Sequence, residues 1–206
     1  MSGKECLVSY EASPLQRNVV IFCGKVDPSE PERRRLTKIV EFCKENGLSI
    51  LHGGTSGSMA FIASECQKLS LNDVGIGTWE INQDENVPRT GKEFLLAGDY
   101  FKRVTSLMSS SPLAIVMPEG GSGTLLEATL YAKQINLLAG LEQKGFEIPA
   151  NKERRLIVIS ENGIDQRFRE AISQFGLKAD CKGRIIFCKE TELKDVLKVV
   201  LSQLFG

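Results

Sequence analysis

Six short, apolar-rich runs constrain the fold of this chain more than any other feature: Val19–Cys23, Leu48–His52, Val74–Thr78, Leu113–Met117, Leu156–Ser160 and Ile185–Cys188. A strand covered on both faces carries apolar residues without strict alternation, the pattern of a central parallel strand. Between the runs, apolar residues recur at helical spacing. Leu36, Ile39, Val40 and Cys43 form one stripe, and Met59, Ile62, Cys66 and Leu69 a second. Phe168, Ala171, Ile172 and Phe175 form a third, and Leu193, Val196, Leu197, Val200, Leu201 and Leu204 close the chain. Further helices are expected over about 98–110 and from Thr124 to about Leu141. Strands alternating with helices predict an α/β protein, an open parallel sheet with helices on both faces.

At 206 residues the chain fits one large domain with a substantial core, here expected over 18–206 behind a polar arm at 1–17. Ser29 and Glu32 have capping-box spacing with Pro31 early in the helix, and Gly47 ends it. Residues 79–97 show no period and predict a long loop, a length that in a compact domain goes with function or disorder. A second polar connection is expected at 142–154. The segment after Thr124 is apolar on more than one face, as burial by a second subunit requires.

Lysines plus arginines equal aspartates plus glutamates at 26 each, giving a net charge of zero. A dedicated nucleic-acid or anionic-membrane binder carries a basic excess, so neither partner is expected. A small anion needs only a local positive site. The six cysteines form no Cys-x-x-Cys pair and His52 is the only histidine, so no metal site is expected. The cysteines read as small buried hydrophobes of a reducing compartment. The amino-terminal residues have no apolar signal core and no run approaches membrane-spanning length, so the expected location is cytoplasmic.

Two glycine turns, each following a strand and preceding a helix, carry the chemistry. They are Gly53-Gly-Thr-Ser-Gly57 and Gly120-Gly-Ser-Gly-Thr124. Backbone N–H groups can converge on an anion at such a turn, and the helix N-terminus adds partial positive charge. Neither is a dinucleotide fingerprint or an NTPase phosphate loop. Together they suit one phosphate plus a sugar or base, although tight turns without a ligand have the same residues. Glu127 has two readings. It completes a Thr124-x-x-Glu127 capping box, or it is a carboxylate placed for chemistry. Arg103 is either a solvated helix residue or a ligand contact. His52 suits a general acid or a backbone-satisfied imidazole, and Trp79 suits base stacking or core packing. The Arg33-Arg-Arg35 run reads as a solvated helix face.

Gly120-Gly-Ser-Gly-Thr-Leu-Leu-Glu127 resembles the Gly-Gly-x-Gly-Thr-x-x-Glu signature of the Lonely Guy (LOG) family, also labelled lysine decarboxylases. Gly53-Gly-Thr-Ser-Gly-Ser-Met59 resembles that family's other turn, and Phe22-Cys-Gly24 the end of its first strand. Arg103 has the spacing of its functional arginine. The resemblance covers roughly residues 18–204 and implies a Rossmann-like homodimer. It also implies phosphoribohydrolase activity, an N-glycosidase splitting a nucleoside 5′-monophosphate into base and ribose 5-phosphate without a cofactor. On that reading Glu127 and Arg103 are catalytic. Gly24, Gly53, Gly54, Thr55, Ser56, Gly57, Met59, Gly120, Gly121, Ser122, Gly123 and Thr124 bind the nucleotide or its phosphate. Three departures stand out: Glu119 is inserted before the paired glycines, Val104 replaces a lysine, and Lys25 replaces a serine. The first two favour an alternative, a non-catalytic carrier of a nucleotide or phosphorylated cofactor resembling molybdenum-cofactor carriers.

Overall fold

The computed structural model describes residues 17–78, 89–148 and 152–205. Seven strands form one sheet: β1 (Asn18–Phe22), β2 (Ser49–His52), β3 (Asp73–Thr78), β4 (Glu93–Ala97), β5 (Leu113–Val116), β6 (Arg155–Ile159) and β7 (Ile185–Cys188). Six helices connect or close them: α1 (Glu30–Glu45), α2 (Ser58–Lys68), α3 (Tyr100–Ser109), α4 (Ser122–Gln143), α5 (Ile164–Gln174) and α6 (Leu193–Phe205). All pairings are parallel, and the strand order is β4-β3-β2-β1-β5-β6-β7. This is the expected Rossmann-like architecture.

Five of the six apolar runs form the central strands and the sixth, Ile185–Cys188, the edge strand β7, with both sheet faces covered by helices. Val19 and Ile21 point into a core shared with Leu36, Ile39, Ile62, Cys66 and Leu197, from α1, α2 and α6. Val20 and Phe22 point the other way, into a core with Val104, Leu107, Tyr131, Ile135 and Phe168, from α3, α4 and α5. Tyr131 is fully buried and its hydroxyl donates to Ser111 O at 2.8 Å, which satisfies the one polar atom of its ring system.

β4 corrects the expectation of an aperiodic loop over 79–97. Its register runs from Val74↔Glu93 to Thr78↔Ala97. Glu93-Phe-Leu-Leu-Ala97 holds only four consecutive apolar residues at the end of a polar stretch, and as an edge strand it stays partly exposed. Gly75 lets it dock, because a Cβ there would lie 1.9 Å from Thr90 O. Trp79 and most of the polar arm lie outside the described residues. Arg17, the arm's last residue, packs its guanidinium over the Phe205 ring at 5.1 Å. The helix expected from Thr124 begins at Ser122 and runs to Gln143.

The topology fixes where a ligand can sit. β1 continues through α1 to β2 on one side, while its other neighbour is β5. In an open parallel sheet the loops at such a switch point diverge and leave a crevice at the carboxyl ends of the strands. Here those loops carry residues 23–29 and 117–121.

Candidate functional site

The turn after β5 is held by short-range bonds. Gly120 N–H donates to Met117 O at 3.1 Å, and the first helical bond of α4 runs from Leu125 N to Gly121 O at 3.0 Å. Gly121 is the N-cap, in extended conformation, with no side-chain cap. The N–H groups of Ser122, Gly123 and Thr124 precede the first helical bond and so have no acceptor within the helix. Gly121, Ser122 and Gly123 are exposed, and a Cβ on Gly121 or Gly123 would meet nothing within 4 Å. Gly120 differs, since its missing side chain makes room for Thr124, whose Cγ2 would be 2.3 Å from a Cβ. Thr124 is buried, and its hydroxyl donates to Cys23 O at 3.0 Å, tying the start of α4 to the end of β1.

The second glycine turn is packed differently. A Cβ on Gly53 would lie 2.1 Å from Arg103 Nη2, and one on Gly54 would lie 2.7 Å from the Phe94 ring. Gly57, at φ +69°, would place its Cβ 2.2 Å from the Lys25 carbonyl carbon. Each glycine of this turn is therefore required by close protein packing. Thr55 and Met59 are buried, with Thr55 Oγ1 3.5 Å from Met59 Sδ. Ser56 Oγ donates to Lys25 O at 3.4 Å, so the turn seats the loop that follows Gly24.

His52 shapes this second turn from beneath. It is fully buried. Its Nδ1 accepts from Gly54 N–H at 3.1 Å, and its Nε2 faces Asp73 Oδ2 at 3.2 Å. An acceptor at Nδ1 and a donor at Nε2 describe the neutral imidazole tautomer that a backbone-satisfied histidine needs.

Glu127 does not cap its helix. Thr124 is the third helical residue rather than the N-cap, and the Glu127 carboxylate crosses to α3. Its Oε1 accepts from Arg103 Nη1 at 2.6 Å, with both residues over nine-tenths buried. Arg103 also donates through Nε to Ile76 O at 2.8 Å, and its guanidinium lies 5.7 Å from the Tyr100 ring centre. Burial pushes the Glu127 carboxyl above the usual carboxylate range, while Arg103 and more weakly Lys25 oppose that shift. The nearby Cys23 thiol is pushed up by burial and by Glu127, and Cys43 up to about 12 by burial, so both stay neutral. The five described cysteines are free and buried, as expected of small core residues.

The inserted Glu119 and the arginine run meet unexpectedly. Arg35 is buried, not solvated. It reaches Glu119 at 2.6 Å, Glu190 at 3.0 Å, and Glu161. These carboxylates follow β5, β7 and β6, so one guanidinium ties three strand-end loops to α1. No local pattern marked Arg35, because its partners are 84, 126 and 155 residues away. One further site feature escaped the sequence: Tyr100 Oη, beside Arg103, is buried and has no hydrogen-bond partner among the described residues. Among the described residues no group of three or more His, Cys, Asp or Glu could hold a metal ion.

Fold and site define an open parallel α/β protein with a glycine-rich backbone cradle at its topological switch point. No protein-family model matches the sequence, and no curated protein matches it. Solved structures match it in fold. The molybdenum cofactor binding protein of Rippkaea orientalis aligns with a TM-score of 0.63 at 14% identity, over 92% of this chain and 99% of that one. The molybdenum cofactor carrier protein of Chlamydomonas reinhardtii aligns with a TM-score of 0.59 at 14% identity, over 91% and 99%. At that identity the likeness is one of fold.

These matches correct the reading of the chain as a LOG-family phosphoribohydrolase. The two structures compared above are a molybdenum cofactor binding protein and a molybdenum cofactor carrier protein. The N-glycosidase activity falls with that reading. The geometry gives a physical reason for the motif match: a Glu one turn into α4 and an Arg on α3 are what a buried interhelical ion pair requires.

Proposed function

We propose that the chain binds, without transforming it, a small phosphorylated cofactor of the molybdenum-cofactor kind, as a carrier or store. One observation carries this reading. The cradle at Gly121–Thr124 is open and rich in backbone donors, whereas the carboxylate beside it is already engaged by Arg103 at 2.6 Å. An anion is attracted by free N–H groups and the positive end of α4. A water nucleophile needs a carboxylate that water and substrate can reach, and Glu127 is over nine-tenths buried beside Arg103. The fold shared with cofactor carriers supports the same reading.

On this reading Ser122, Gly123 and Thr124 donate backbone N–H groups to the phosphate, and Gly120 and Gly121 keep the approach clear. Gly24 borders the crevice from β1. Gly53, Gly54, Thr55, Ser56, Gly57 and Met59 act from behind, holding the loop after β1 and the Arg103 side chain. We also propose a homodimer, because α4 carries exposed Leu126, Leu137 and Leu141.

The test is retention. Purified protein, denatured to release its ligand and examined for molybdenum and phosphorus by mass spectrometry, should yield a phosphorylated compound near one per chain. Ligand-free protein should recapture released molybdenum cofactor and return it chemically intact. Absence of any phosphorylated ligand together with failure to recapture the cofactor overturns the reading, as does turnover of what is bound.

A further inference from the structure

The loop between β1 and α1 is clamped on both sides. Toward β5, Thr124 holds Cys23 O at 3.0 Å, and Gly24 lies against the Glu119 carbonyl, which a Cβ would meet at 3.6 Å. Toward β2, Ser56 donates to Lys25 O, and Gly57 leaves room for the Lys25 backbone itself. Two glycine turns thus converge on residues 23–26. The residue at the centre is Lys25, whose side chain is exposed. Its backbone is fixed at the switch point, two residues from the carbonyl bonded to Thr124. Its ammonium is near enough to Glu127 to favour that carboxylate's ionised form.

The charge balance of the crevice is incomplete without it. A phosphomonoester carries about −1.5 to −2 at neutral pH, with a second pKa near 6. The N-terminus of α4 offers roughly half a positive charge. Arg103 is matched by Glu127, and Arg35 by three carboxylates, so neither has charge to spare. Lys25 has no ion pair among the described residues. A lysine is a compact charge on a flexible stem, able to follow a phosphate without a fixed fork geometry.

We propose that Lys25 is a ligand-contacting residue that pairs with the phosphate at the Gly121–Thr124 cradle and makes the site selective for a dianionic phosphomonoester over a phosphodiester. This inference rests on the binding reading above. It assigns the ligand a terminal, singly esterified phosphate.

Calorimetric titrations with AMP, cyclic AMP and inorganic phosphate test it in the wild type and in Lys25→Ser, Lys25→Arg and Gly121→Asp. Wild type should bind AMP more tightly than cyclic AMP, with affinity rising as pH passes the second phosphate pKa of about 6. Lys25→Ser should lose roughly 10-fold or more for AMP, as expected for a charge-assisted hydrogen bond, and lose the pH-dependent rise. Lys25→Arg should retain most of both, and a purely structural lysine would move neither. Gly121→Asp, which places a carboxylate in open space at the cradle, should abolish binding. If Lys25→Ser binds AMP like wild type with the same pH profile while Gly121→Asp does not bind, the Lys25 assignment is wrong and the cradle stands. If wild type binds none of the three probes, the cradle reading fails and the assignment with it.

Discussion

At the scale of single residues, the Arg103–Glu127 pair is the feature whose meaning the structure changed most. Burial raises the carboxyl pKa and Arg103 partly offsets the rise. Substituting Arg103→Met leaves a buried carboxylate without its partner, and truncation of one member of such a pair costs about 3–5 kcal/mol. The sign of the pH dependence follows from linkage. A carboxyl whose folded pKa is raised stabilises fully below its unfolded value, here near 4.5, and that stability is lost as pH rises through the folded pKa. Without Arg103 the folded value climbs further. Urea unfolding of Arg103→Met should therefore show a deficit that widens from pH 5 to pH 8; a constant deficit would mean that Glu127 is not the group left unpaired. The glycines divide by the same logic. Gly57→Ala, at positive φ and against the Lys25 backbone, should lower the melting temperature measurably, while Gly121→Ala should leave it near wild type.

At the scale of elements, what the sequence made legible was decided by whether the determining contacts were local. Central strands were readable because burial on both faces writes itself into consecutive residues, as in Val19-Val-Ile-Phe-Cys23. β4 was not, because its short apolar run Phe94-Leu-Leu-Ala97 closes a polar, aperiodic stretch and does not stand apart from it. The start of α1 was half readable. Ser29 accepts from Glu32 N at 3.4 Å, but the Glu32 carboxylate takes the Ser58 hydroxyl at 2.5 Å instead of returning to the cap. The spacing at Thr124-x-x-Glu127 was that of a cap as well, and a partner 24 residues away overrode it. The cradle itself was legible as a glycine-rich turn between strand and helix. Arg35 was not, since three charges arriving from separate loops leave no trace in the order of residues around it.

The far end of α4 offers an element-scale prediction. Glu142 accepts from Arg184 at 2.5 and 3.0 Å and from Lys182 at 3.1 Å, and Arg184 also reaches Glu153 at 2.7 Å. These hydrogen bonds hold the Glu142 carboxyl down at about 2 against an ordinary 4.5. A depressed carboxyl contributes stability above its unfolded pKa, and that contribution disappears as pH falls through the folded value. Glu142→Gln should thus lower the melting temperature at pH 7. It should also show a shallower decline than wild type between pH 4.5 and 2, where wild type gives up that contribution. Parallel melting curves across that range would be inconsistent with the clamp.

At the scale of the whole molecule, the surface of α4 carries an argument about assembly. Leu126, Leu137 and Leu141 are 43%, 61% and 42% exposed, and Leu130 is partly buried on the same helix. The intervals along this stripe are four, seven and four residues, a sequence that reads the same in both directions. Two copies of α4 packed antiparallel about a two-fold axis would set Leu126 against the second copy's Leu141, and Leu130 against its Leu137. A self-complementary patch of this kind is what an isologous dimer requires. It also joins assembly to the site, because Leu126 is one residue from Glu127 at the cradle end of the same helix. Leu137→Glu should leave the monomer fold within about 0.5 kcal/mol of wild type, as surface substitutions generally do. The same change would set two carboxylates in the apolar centre of the dimer, where their burial is costly. Light scattering during size-exclusion chromatography should report a mass near twice 22.7 kDa for wild type and near 22.7 kDa for Leu137→Glu. A wild type that elutes as a monomer, or a variant that remains a dimer, would place the contact elsewhere than the α4 stripe or remove it.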